Sequence, residues 1–194
     1  MKLTQNMRVQ REGDVSAAEF SKVLLKIGDG NVPVDRESGE IAIPSGCGII
    51  VNNSEFLKEE VYGNIDIHFN QTTWRSWLCE RAILAPKNDL VNHINRTILP
   101  KLPGYVEVYK SIDNVVDQDQ ACLYPTEFLN SLEPSGMPPH ELHLKVGAPI
   151  MLLRNLDAPR LCNGTRLCVK QMLAHVLEAT IMTGQAKGED VFIP

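Results

Sequence analysis

The stretch Leu144-Lys145-Val146-Gly147-Ala148-Pro149-Ile150-Met151-Leu152-Leu153-Arg154-Asn155-Leu156, followed closely by Leu161-Cys162-Asn163-Gly164-Thr165-Arg166, decides the reading of this chain. An apolar strand ends at Arg154-Asn155, and a short loop leads to Asn163-Gly164. Asn-Gly between apolar runs is a strong hairpin signal, because both residues tolerate the positive φ of a type I′ turn. Gly147, Asn163 and Gly164 therefore read as turn residues. Short strands at 142–144, 149–154, 165–170, 174–183 and 190–193 surround them, with a second turn at 184–188. Close, regular strand spacing of this kind predicts a small all-β module over 141–194, a five-stranded barrel.

Towards the N-terminus the pattern changes to helices and loops. Ser16 and Glu19 form a capping box, and Phe20, Val23, Leu24 and Ile27 follow at helical spacing until Gly28. Residues 28–48 read as a loop with a short strand at 41–43, and Ser54 opens a second helix that Gly63 ends. Arg81-Ala82-Ile83-Leu84-Ala85, bounded by Pro86, reads as a buried parallel strand. Asn88 then caps a helix carrying Leu90, Val91, Ile94, Ile98 and Leu99 on its apolar face. Strand, turn and capped helix make one βα unit, so the expected fold is α/β: a partial parallel sheet with helices over 1–140, then the barrel. Residues 105–116 read as strand, 125–132 as a short helix and 134–139 as a proline-stiffened connector.

Composition narrows the function. The 194 residues are 43% hydrophobic and 22% charged, as expected for a chain with a real core, and no apolar run is long enough to span a membrane. Five cysteines without CxxC spacing read as reduced thiols rather than a disulfide framework or a zinc site. His140 and His143 lack matching ligands, so no metal site is expected. Trp74, Trp77 and Leu78 read as core. The net charge is −5, but it is uneven: residues 1–141 carry 13 Lys and Arg against 20 Asp and Glu, and residues 142–194 carry 6 against 4. A surface for an anionic polymer would have to be a local patch in or beside the C-terminal part. The sequence contains no G-x-x-x-x-G-K-[ST], no G-x-S-x-G and no H-E-x-x-H, hence no self-contained active site.

The pattern as a whole resembles the PIF-type (petite integration frequency) DNA helicases, especially the branch carried by Helitron transposons. It is most specific at 82–95, at 125–140 and at 144–165. The resemblance implies that residues 1–140 are part of a second RecA-like domain, and that 141–194 are a barrel of the Src-homology type inserted in it. Leu3-Thr4-Gln5-Asn6-Met7-Arg8 matches the leader whose arginine reaches across to the γ-phosphate, which makes Arg8 the implied arginine finger. Pro86-Lys87-Asn88 matches the turn beside single-stranded DNA, where helix N–H groups can hold a phosphate. Lys87 and Asn88 are the implied contacts, although Asn88 is equally explained as an N-cap.

Arg154, Arg160 and Arg166 flank the Asn-Gly turn and are the better placed cations for phosphate contact. Phe192 is the barrel's only aromatic residue, so stacking on bases has little support. By resemblance the parent is an ATP- and Mg-dependent helicase that translocates on single-stranded DNA, acting in DNA repair, recombination, telomere maintenance or transposition. Its expected location is the nucleus, with the mitochondrion as alternative. Family members also carry an N-terminal RecA-like domain with the nucleotide site. The 194 residues are therefore expected to be a fragment that alone neither hydrolyses ATP nor unwinds DNA. The rival reading is a truncated, transposon-derived module that binds single strands weakly without enzymatic activity. A third is an interaction protein with no nucleic-acid role.

Overall fold

The computed structural model describes residues 15–44, 46–116, 123–134 and 136–194. The chain divides into two compact units, Met1–Asn52 and Asn53–Pro194. In the first, helix α1 (Val15–Gly28) includes Ser16, so Ser16 is a helical residue rather than the cap. A bridge joins Val34 to Ile41. Asp35 Oδ1 closes the intervening turn by accepting the N–H groups of Glu37 (2.9 Å) and Ser38 (2.8 Å). Those bonds hold its carboxyl below the usual carboxylate range, the Ser38 N–H contributing most.

In the second unit a layer of helices covers one face of an antiparallel sheet. Helix α2 (Ser54–Tyr62) is capped by Asn53, not Ser54: Asn53 Oδ1 accepts the Phe56 N–H at 2.8 Å. Two short helices follow, α3 (Ile65–Phe69) and α4 (Trp74–Cys79). The sequence did not announce either one, because five or six residues are too few to display a helical period. Helix α5 (Asn88–Ile98) runs into a 3-10 turn, Leu99–Lys101. Asn88 is its first helical residue. Lys87, in extended backbone, occupies the cap position and makes no side-chain capping bond. Helix α6 (Thr126–Asn130) lies within the expected short helix.

The strands form two antiparallel sheets. β1 (Glu107–Lys110) pairs with β2 (Glu141–Leu144) in a ribbon, and β3 (Pro149–Met151), β4 (Arg166–Met172), β5 (Leu177–Ile181) and β6 (Asp190–Ile193) pair in that order. All five strands expected after residue 140 are present, but they do not close a barrel. β2 leaves the set to pair with β1, Glu107 opposite Leu144. Between β2 and β3 the chain turns through Gly147 at φ 82°, which puts the two strands in different sheets. Residues 81–85 are not a strand, and Leu84 is 92% exposed. No described strand pairs with them, and a parallel strand needs paired neighbours to satisfy its backbone.

Alternation along β4 makes two cores. Leu167 and Val169 are buried, and Leu167 joins Leu152, Leu161, Ala179, Ile181 and Val191 on the face that the sheet's own loops cover. Cys168 points the other way and meets Ile65, Trp74, Leu78 and Leu102 of the helical layer, together with Ala148 and Met182. Each fully buried Leu or Ile contributes about 1.5–3 kcal/mol. Burial pushes the Cys168 thiol above its ordinary range, consistent with an inert core thiol. Trp74 and Leu78 are core, as expected.

Gly147 explains why the two layers meet so closely. A Cβ there would run into the Phe69 ring, and its carbonyl accepts the Trp74 Nε1–H at 3.1 Å. It is a turn residue and also the point of closest approach. The Asn-Gly turn differs from the expected type. Thr165 N–H donates to Cys162 O at 3.0 Å, but only Gly164 has positive φ (87°). Asn163 does not, so the pattern is that of a type II turn rather than I′. Primed turns are favoured where two strands join directly, and here residues 152–165 separate β3 from β4.

Candidate nucleic-acid interface

The β3–β4 loop is shaped from within. Leu156 N–H donates to Leu161 O at 2.8 Å, Leu161 N–H donates to Asp157 O at 2.6 Å, and the buried Leu161 side chain seats the loop on the sheet. Asn155 Oδ1 accepts the Asn163 N–H at 2.8 Å and joins the loop's two ends. Opposite lies the β5–β6 turn, where Gly188 N–H donates to Ile181 O at 2.8 Å. The two segments border an open groove of about 640 Å³, lined by Arg160, Asn163, Thr165, Thr183, Gln185 and Glu189 among others. Apart from Arg160 and Glu189, those six present neutral amide and hydroxyl groups.

The cations singled out from the sequence fall into different environments. Arg154 is exposed beside Asn155 at the base of the loop and has no ion pair or hydrogen bond among the described residues. Arg160 lines the groove and bridges two carboxylates, Asp157 Oδ2 and Glu189 Oε2, each at 3.3 Å. Arg166 is turned inward. Its Nη1 donates to Cys79 O (2.9 Å), and its Nη2 donates to Leu78 O (2.9 Å) and Arg81 O (3.2 Å). It thus satisfies the carbonyls at the C-terminus of α4, where the helix dipole also favours a cation. Lys87 and Asn88 are exposed at the start of α5, away from any side-chain partner among the described residues. Arg154, Arg160, Asn163 and Gly164 therefore share one loop and its edge. Arg166 lies on the helical side of the sheet, and Lys87 and Asn88 on a separate element. Arg8 lies outside the described residues.

Other cations do structural work that the sequence pattern did not reveal. Lys145 is only 5% exposed, and its Nζ donates to Leu102 O at 2.6 Å, fastening the 3-10 turn to the β2–β3 corner. Lys58 is buried between Glu55 and Thr97 Oγ1. The Arg81 guanidinium lies over the Trp77 ring, 4.4 Å from its centroid. The one available signal was a lysine inside an apolar run beside glycine, Leu144-Lys145-Val146-Gly147. The remaining lining groups, Thr183 and Gln185, sit in a polar turn without any motif. Among the described residues no cluster of three or more His, Cys, Asp or Glu could hold a metal ion. No described helix is long and apolar enough to cross a membrane.

Comparison with known proteins bears on this same segment. The sequence profile of the 2B domain of the DNA helicase Pif1 matches residues 127–172, from α6 through β4. The ATP-dependent DNA helicase PIF1 of Saccharomyces cerevisiae (strain YJM789) is 40% identical over 75 residues. That match takes in 39% of this chain and 8% of the yeast protein. The resemblance to PIF-type DNA helicases read from the sequence is thus borne out over this part of the chain.

Proposed function

We propose that this chain is a single-strand-binding part of an ATP-dependent PIF-type DNA helicase. The observation that carries the reading is a coincidence of place: the segment similar to the Pif1 2B domain is also the one that forms the groove-bearing β3–β4 loop. On this reading residues 141–194 correspond to an inserted Src-homology-type barrel and residues 1–140 to part of a RecA-like domain. Lys87, Arg154 and Arg160 face the sugar-phosphate backbone, with Asn88 beside Lys87, and Arg166 holds the sheet to the helical layer. ATP and Mg belong to the longer parent protein. The described residues offer no metal-ligating cluster, and the 194 residues contain no phosphate loop, so no chemical step is assigned to them. Arg8 keeps its proposed part as arginine finger towards a nucleotide held by another domain, and the parent is placed in the nucleus or mitochondrion.

A titration of the 194-residue chain with fluorescent oligothymidylate at two salt concentrations tests this. Each phosphate neutralised on a single strand steepens the fall of log K with log salt by about 0.7, so three cations give a slope of roughly −2. Absent or salt-insensitive binding would count against the proposal.

A further inference from the structure

Arg160 is already occupied twice, by carboxylates that come from both sides of the groove. Asp157 belongs to its own loop, whereas Glu189 belongs to the β5–β6 turn, so the Arg160–Glu189 contact spans the groove mouth. All three side chains are about half exposed, and solvent screens pairs of that kind. A guanidinium fork fits a phosphodiester as it fits a carboxylate, through paired N–H···O bonds. Beside it Asn163, Thr165, Thr183 and Gln185 supply hydroxyl and amide groups of the type that bond sugar and phosphate oxygens. The buried Leu161 keeps the loop seated whichever anion Arg160 holds, so exchange needs a side-chain movement and no unfolding.

We infer that Glu189, assisted by Asp157, is a built-in competitor for the strand. A phosphodiester of single-stranded DNA enters the groove by displacing Glu189 from Arg160. This rests on the single-strand reading above and adds the regulation of that site: an intramolecular carboxylate lowers its affinity and makes release easy. Removing an acid near DNA raises affinity in any case through net charge, so the test must separate contact from charge.

Oligothymidylate affinity is measured for the full chain and for Glu189→Gln, Asp157→Asn, Arg160→Gln, the double variant Glu189→Gln/Arg160→Gln, and Glu141→Gln. Glu141 pairs with Lys110 on the β1–β2 ribbon and controls for charge alone. Glu189→Gln is expected to tighten binding about two- to fivefold. Asp157→Asn acts in the same direction, Glu141→Gln changes affinity by much less, and the gain vanishes when Arg160 is also replaced. Circular dichroism checks folding, and if Glu189→Gln fails to fold, Asp157→Asn decides. An equal gain from Glu141→Gln, no gain from Glu189→Gln, or a gain that survives loss of Arg160 overturns the inference. Gain on oligouridylate alone overturns it as well. No binding by the unsubstituted chain overturns the single-strand reading itself. Binding without the Glu189 effect overturns only the competition.

Discussion

Arg166 shows how much a single side chain can be asked to hold. It follows the Asn-Gly turn and, by charge alone, suits phosphate contact, yet its guanidinium answers the carbonyls of Leu78, Cys79 and Arg81. Arg166→Met would take the side-chain donor from Cys79 O and Arg81 O, while Leu78 O keeps the backbone N–H groups of Glu80 and Arg81, and the apolar stem would stay. A loss of about 2–4 kcal/mol in urea unfolding is expected, with unchanged oligothymidylate affinity for the folded fraction. Unchanged stability with weakened binding would instead make Arg166 a strand contact. Gly147 teaches the same lesson. Its turn is legible in Val-Gly-Ala-Pro, but the Phe69 and Trp74 rings that press on it come from residues more than 70 positions earlier, and no local pattern encodes them.

Among the elements, β6 is an edge strand held across the sheet by charge. Lys170 on β4 meets Glu178 Oε1 and Asp190 Oδ2, both at 2.6 Å, and Thr180 Oγ1 donates to Asp190 Oδ1 at 2.6 Å. The bond from Lys170, then that from Thr180, holds the Asp190 carboxyl below its ordinary range. Asp190, then Glu178, raises the Lys170 ammonium above its own.

The signs give a window. Asp190's contribution is present above the ordinary carboxylate value of about 4 and is lost as pH falls through its lowered one. Lys170's is present below about 10.4 and is lost as pH rises through its raised one. Asp190→Asn should therefore destabilise the chain at neutral pH in urea melts, and the difference from the unsubstituted chain should vanish in strong acid. A difference that stays constant into acid would show that the contact is not ionic.

The strands after residue 140 were legible because short apolar runs at close spacing and glycine turns between them are local signals. The partner of β2 was not, since pairing with β1 depends on a segment more than 30 residues away. Residues 81–85 read as a strand on another local signal, a continuous apolar run bounded by Pro86. Apolar content alone does not make a strand where no neighbour completes its hydrogen bonds.

For the molecule as a whole, a net charge of −5 argues against a nucleic-acid binder, and only the distribution of charge restores the possibility. The β3–β4 loop gathers Arg154 and Arg160 at one edge of the Asn53–Pro194 unit, and the β5–β6 turn adds Lys187. The family resemblance and the uneven charge were both legible in the sequence. The groove was not, because it exists only where two turns far apart in the chain face each other. The most direct measurement is amide chemical-shift mapping of the 194-residue chain by NMR as oligothymidylate is added. Perturbations are expected at residues 154–165 and 183–189, with a second set at Lys87 and Asn88. Shifts confined to the β1–β2 ribbon and α6, or none at all at saturating strand, would contradict a single-strand site in this groove.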